Sequence, residues 1–383
     1  MTTTDSISLT NVRAREFPIA RETTYLNTAT QGPLPNCAVR AVEQTASLAQ
    51  FPSGDRARNA ASPETLARER LARLIGARAE EIVFSGNTSH GLNICAQGID
   101  WQAGDNVVVP AREFPSLMVV WFHLRQRGVE VRCAPWTGAG PTVEDIMSLV
   151  DERTRAVSCS AVKWDTGYRM DLEELGRRCA QKGCLLIVDA IQAVGALRLD
   201  VRAARISALA THGYKWLMAG FGIGALYVAP EALEQIRPVF AGHASVAGDE
   251  MAFDERFRWK PGAAGYAVGG SNRLGQSALA ASLSLIKEIG INTIEEQNLA
   301  LTEQLCTGLE RNRNVRLVSS LEPAHRSAIV TFTLGDAQRD AALVEALEKQ
   351  GIIVALRPLG VRVSPHFYNT ESEIARLLDA LPR

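Results

Sequence analysis

The chain is poor in most features that would tie it to a polymer, a membrane or a metal. Its 383 residues carry 41 Lys and Arg against 42 Asp and Glu, a net charge of −1, so no basic excess draws it to nucleic acid. No stretch approaches 18 uninterrupted apolar residues. The opening MTTTDSISLT has neither a basic start nor an apolar centre, so no leader is expected and the protein is expected to be cytoplasmic, without a membrane partner. The seven cysteines, at 37, 95, 133, 159, 179, 184 and 306, are odd in number and contain no C-x-x-C pair, which argues against a disulfide framework and fits reduced thiols. Six histidines are scattered without H-x-x-x-H spacing or a Cys/His cluster, and no metal is assigned. Internal repeats, low-complexity runs and long linkers are also lacking.

What is present is an ordinary apolar content of 46% over a length that exceeds a typical single domain, so a large domain with a smaller one is expected. Short apolar runs at Ile82–Phe84, Val107–Val109, Val129–Cys133, Val157–Val162, Leu185–Val188, Ile206–Ala210 and Ile223–Val228 alternate with helix-like stretches such as Pro63–Ile75. Strands alternating with helices predict an α/β domain with a mostly parallel seven-stranded sheet covered on both faces. After about residue 275 the pattern changes to helices at Ser277–Ile289 and Glu295–Glu310, a strand near Ser327–Thr333, and helices at Arg339–Gln350 and Glu371–Leu381. The predicted division is therefore a large domain over 25–275 and a small α+β domain over 276–383, joined by residues 1–24.

The chain is organised around Ile206–Pro230, ISALATHGYKWLMAGFGIGALYVAP, in which Lys215 follows an apolar run and precedes a glycine-rich turn. A lysine held against packed backbone is disfavoured as a charge, so its amine becomes nucleophilic and suited to a Schiff base. Upstream, CLLIVDAIQ reads as a strand buried on both faces that ends in Asp189. Ligands gather at the carboxyl ends of parallel strands, so Asp189 and Lys215 can share one pocket. Ser85–Gly91, SGNTSHG, follows a strand and opens a helix, where backbone amides and hydroxyls can cradle an anion such as phosphate.

The D-A-x-Q-A-x-G run from Asp189 to Gly195, followed by T-H-G-Y-K-W-L and a glycine turn, resembles the class V aminotransferase family of fold type I pyridoxal-phosphate enzymes, with its cysteine desulfurase and isopenicillin N epimerase-like branch. The likeness runs from about Tyr25 to Leu378. It implies pyridoxal 5'-phosphate as cofactor, bound through Lys215, with Asp189 at the ring nitrogen, Gln192 at the ring hydroxyl, and Thr88, Ser89, His212 and Tyr214 around the phosphate. Phe114, within Arg112–Ser116, stands where the family stacks a residue on the ring; desulfurases carry an imidazole there, and the phenyl points towards the epimerase-like branch. Gly269–Asn272 resembles a segment that reaches the neighbouring subunit's phosphate, which implies a homodimer with sites at the interface and leaves Gly270 and Ser271 as alternative contacts. On the substrate side the likeness implies Arg362 as the carboxylate clamp, Asn27 near the active site, and Lys163 in S-A-V-K-W-D-T-G as a cation for an extra acidic group or a salt bridge. Arg357 is either a second clamp or a surface residue.

No cysteine lies between 307 and 383, where desulfurases need a mobile thiol to accept sulfur. The reaction favoured on these grounds is β-elimination from a cysteine S-conjugate, a carbon–sulfur lyase of specialised metabolism. Transamination, epimerisation and decarboxylation-dependent oxidative deamination stay open, because one cofactor-bound lysine supports them all. The remaining alternative is a non-catalytic binding module on the same fold.

Overall fold

The computed structural model describes residues 8–51, 62–249 and 257–382; the opening residues 1–7, read above for a leader, lie outside them. Seven strands form the main sheet: β1 (Ile82–Ser85), β2 (Asn106–Pro110), β3 (Glu130–Ala134), β4 (Thr154–Ser160), β5 (Leu185–Asp189), β6 (Ala208–His212) and β7 (Gly224–Val228). Their order is β1–β7–β6–β5–β4–β2–β3, and all pairs are parallel except those that β7 makes with β1 and β6. Each predicted apolar run became one of these strands. Strands β2, β5, β6 and β7 are buried along their whole length, as expected of a sheet with helices on both faces.

The register decides where chemistry can occur. Ser160 pairs with Asp189, and Asp189 with Ala210, so β4, β5 and β6 end along one edge. Because β7 runs the other way, its first residue, Gly224, pairs with both Ser85 and His212, and the carboxyl end of β1 reaches that same edge. Typical of the covering helices is Leu172–Lys182, where the Asp171 carboxylate accepts the Glu174 amide at 3.0 Å and the chain stops at Gly183, whose φ of 71° is left-handed.

A second sheet, antiparallel throughout, contains β8 (Arg316–Leu317), β9 (Val330–Thr333), β10 (Ala355–Arg357) and β11 (Gly360–Val363) in the order β8–β9–β11–β10. Its apolar core, with Leu305, Phe332, Leu347, Val361, Val363 and Ile374, is separate from the larger one around β2, β5 and β6. Leu26 belongs to this smaller core although it lies near the chain's start, and Thr24–Tyr25 pair with Ile352–Ile353. The helices Leu9–Glu16 and Asn36–Ala49 were not read from the sequence. Asn36–Ala49 buries only Ala38 completely and lies against Arg273–Ile289, with Thr45 Oγ1 2.6 Å from Ser277 Oγ.

Gly224 allows β7 to pass against the turn that opens the helix Thr88–Gly98. A Cβ at this position would lie 2.8–2.9 Å from three backbone atoms of Asn87. Gly224→Ala is expected to cost about 1–3 kcal/mol through overpacking, measured by urea unfolding. An unchanged midpoint would show that the turn yields freely.

Candidate active site

Lys215 lies just beyond β6 and is buried, 6% exposed, in spite of its charge. Burial pushes its pKa down from the ordinary lysine value to about 7; Asp189 opposes the shift, and Arg362 and Arg357 add to it. Asp189, at the end of β5, is also buried, and burial raises its pKa although Lys215 opposes the rise. One Asp189 oxygen, Oδ1, accepts the Ile191 amide at 3.0 Å. The Lys215 ammonium lies 5.8 Å from the centre of the Phe114 ring and 5.5 Å from that of Tyr214. Lys215 with its neighbour Tyr214, Asp189 and Phe114 are thus brought into one place from three separate segments.

The neighbouring backbone is tightly fixed. Gly32 donates to the Tyr214 carbonyl at 2.8 Å, and a Cβ on it would lie 2.1 Å from the Lys215 carbonyl oxygen. Gln192 accepts the Trp216 indole N–H at 2.8 Å and donates to the Ala29 carbonyl at 3.1 Å. His212 Nε2 accepts the Gly222 amide at 3.2 Å, and burial followed by the Lys215 charge lowers its pKa to about 4, so it is neutral. Tyr214 stacks on the exposed Phe221 with ring centres 4.5 Å apart.

At the end of β1, Asn87 Oδ1 caps the helix by accepting the His90 amide at 2.8 Å. Thr88, the first helical residue, has its hydroxyl buried without a protein partner. Ser89 follows it, and its carbonyl accepts Asn93 Nδ2 at 2.8 Å. An unpaired buried hydroxyl is costly, and at a helix N-terminus an anion is a suitable partner.

Thr30 is a residue that sequence reading missed, and it links the substrate-side candidates. Its hydroxyl donates to Asn27 Oδ1 at 2.6 Å and accepts from Arg357 Nη2 and Arg362 Nη2, each at 2.6 Å. The Arg362 Nη1 group donates to the Trp164 carbonyl at 2.7 Å, while Nε is buried without a partner. Among the described residues no carboxylate pairs with either guanidinium within 4.0 Å. Burial and the adjacent Arg357 both disfavour the Arg362 charge, so the pair lacks an anion. Arg357 is accordingly part of this cluster. The only sequence signal for Thr30 was its place in Y-L-N-T-A-T.

Lys163 faces away from solvent, 1% exposed, with Nζ donating to the Arg112 carbonyl at 2.9 Å and lying 3.7 Å from Glu113 Oε2. Its charge is engaged inside the protein and the structure does not place it as a free donor beside Arg362; a buried Glu113, unnoticed in the sequence, takes it up. Ser271 likewise stands apart from Lys215. Its hydroxyl donates to Glu64 Oε2 at 3.1 Å beside a cleft of about 500 Å³ lined also by Gly86, His90 and Gly270.

These residues fit pyridoxal phosphate. A buried lysine with lowered pKa, a buried carboxylate and an unpaired hydroxyl at a helix N-terminus correspond to the aldehyde, ring nitrogen and phosphate of that molecule. No helix among the described residues is long and apolar enough to cross a membrane. Comparison with known proteins agrees. The chain is 31% identical to a probable cysteine desulfurase of Methanothermobacter thermautotrophicus, with 96% of each chain covered. It is 28% identical to isopenicillin N epimerase of Amycolatopsis lactamdurans over 94% of each. Its fold matches the cystine C–S lyase C-DES, solved in complex with its reaction product cysteine persulfide, with a TM-score of 0.87, 25% identity, and coverage of 95% of this chain and 98% of that one. A mutant of that lyase was solved with glycine covalently linked to its PLP cofactor. The model of the family described as Aminotransferase class-V matches residues 24–377, and the chain belongs to that family as an enzyme whose cofactor is pyridoxal 5'-phosphate.

Proposed function

We propose that the protein is a carbon–sulfur β-lyase that acts on a cysteine S-conjugate and releases a thiol, pyruvate and ammonia. The observation that carries this reading is one buried, proton-accepting lysine beside an unsatisfied pair of arginines, in a chain without a thiol suited to accept sulfur. Lys215 would hold the cofactor, with Asp189 at its ring nitrogen, Gln192 at its hydroxyl, Phe114 on one face, and Thr88, Ser89, His212 and Tyr214 at its phosphate. A homodimer would add Gly270 or Ser271 from the neighbouring subunit. When bound, the cofactor supplies an electron sink for the charge left at the substrate's α-carbon.

The protein's own residues account for the rest. Arg362 receives the α-carboxylate through parallel N–H donors, Thr30 and the Trp164 carbonyl hold that guanidinium in place, and Arg357 adds a second positive charge beside it. The Lys215 amine, close to half unprotonated at neutral pH, takes the α-proton. The C–S bond then breaks with its electron pair on sulfur, the thiolate takes up a proton, and water converts the remaining three-carbon fragment to pyruvate and ammonia. A sulfur acceptor needs an accessible thiolate. Cys306, the last cysteine, is buried, and burial followed by Glu16 raises the half-buried Cys37 thiol to about 12. Similarity to a cystine C–S lyase supports the elimination.

Product analysis with S-substituted cysteines tests the reaction, and thiol and pyruvate in equal amounts, independent of oxygen, are expected. Carbon dioxide with an aldehyde would instead indicate oxidative decarboxylation, and an intact 2-oxo acid formed only with an amine acceptor would indicate transamination. Recovery of the opposite enantiomer would favour the epimerase-like relative.

Arg362→Ala is expected to weaken amino-acid substrates by about 2–5 kcal/mol while the cofactor's visible absorbance survives. Unchanged kcat/KM would remove Arg362 from the substrate site. In the apoprotein, acylation of Lys215 by a small anhydride, with carboxylate as the leaving group, should speed up as pH rises through about 7, because only the unprotonated amine reacts. Exposed lysines titrate near 10.4, about three units higher. A Lys215 profile matching theirs would show that the amine is not desolvated.

A further inference from the structure

The ring proposed to cover the cofactor is not held by burial. Phe114 is 39% exposed and begins the helix Pro115–His123 without a side-chain cap, and its one ring neighbour among the described residues is Trp164, edge-on at 5.6 Å. Two residues earlier, Arg112 has a φ of 59°, a left-handed conformation that a residue with a long side chain adopts only when its surroundings impose it.

Those surroundings are unusual. The Arg112 carbonyl accepts Lys163 Nζ at 2.9 Å, and the same ammonium lies 3.7 Å from Glu113 Oε2. Glu113, 5% exposed, is anchored on β4 through the Ser160 amide at 3.0 Å and the Ser160 hydroxyl at 2.7 Å. Trp136 closes the cluster, with the Arg112 guanidinium 4.8 Å and the Lys163 ammonium 5.0 Å from its ring centre, and its indole N–H donates to the Ala111 carbonyl at 2.6 Å. Every residue from 111 to 113 is therefore tied to the strand framework, and Phe114 follows directly.

We propose that Lys163 and Glu113 form a buried latch that fixes the left-handed turn at Arg112 and so positions the Phe114 ring over the cofactor site. Lys163 is in this account a positioning residue that acts through Phe114 and makes no contact with substrate. Removing either partner leaves the other buried without its counter-charge, which loosens the turn. The inference rests on the proposed stacking role of Phe114.

The test is a double-mutant cycle on the holoenzyme with Lys163→Met, Phe114→Ala and the two combined, reading the cofactor dissociation constant and the visible circular dichroism of the bound cofactor. Lys163→Met and Phe114→Ala should each weaken cofactor binding by about tenfold, the scale of coupling between neighbouring residues, and the double variant should lose little beyond either single one. The dichroic band should shrink in parallel, with the substrate KM held. Losses that multiply in the double variant overturn the latch, as does a Lys163→Met protein that keeps its cofactor affinity and raises only KM, which would mark a substrate contact. Glu113→Gln provides the same comparison should Lys163→Met not fold. A wild-type protein without a visible band in excess pyridoxal phosphate would defeat the enzyme reading itself, a result separate from either arm of the cycle.

Discussion

The active site depends on taking one ammonium group out of water. Lys215 has a single acid, Asp189, and two guanidiniums in its field, so the balance of nearby charge does not rescue its protonated form. Surrendering the proton is the inexpensive way to stay buried. This requires that the lysine be unable to swing out to solvent, and the backbone around it is locked accordingly. Gly32 packs on its carbonyl, Gly195 with a φ of 96° passes close to that of Trp216, and His366 Nε2 meets the same Trp216 carbonyl at 3.3 Å.

Much of this was legible in the sequence because it depends on local order. Buried parallel strands announce themselves as apolar runs, and their carboxyl ends are fixed by topology, so Asp189 and Lys215 could be assigned to one edge before any coordinates, whereas the Thr88 loop joined them through the family resemblance. The weak points were contacts between segments distant in the chain. Thr30 carries no local pattern, and only the fold shows it bonded to Arg357 and Arg362. For Lys163 a ligand contact and a salt bridge both stayed open, because Glu113, its partner, arrives from another crossover. The helix Asn36–Ala49 was passed over although its apolar residues fall on one face, which packs on Arg273–Ile289.

The smaller sheet has a role beyond completing the architecture. Arg362 sits in β11, whose neighbours Val361 and Val363 belong to the smaller core, yet its guanidinium reaches the Trp164 carbonyl in the larger unit. Asn27 bridges to Ser364 beside it, so the early N-terminal strand and the late C-terminal one meet at the substrate side. Two apolar cores thus hold the proposed acid–base group and the proposed carboxylate clamp. Their separation is set by packing on both sides and not by a loop.

This division also explains why the cofactor is easier to read than the reaction. The proposed cofactor contacts are spread over strand ends that the sheet forces together. The outcome after proton removal depends instead on what faces the substrate's β-carbon, where small differences decide. In the proposed site Phe114 offers a phenyl ring that cannot transfer protons, and the buried His212 and His366 are neutral and bonded to backbone. With proton transfer left to Lys215 and no accessible thiolate to collect sulfur, expulsion of a β-substituent requires less of the protein than persulfide transfer does. Returning the proton to the opposite face would need a second donor, and Phe114 cannot supply one. These side chains are what the proposed elimination would draw on.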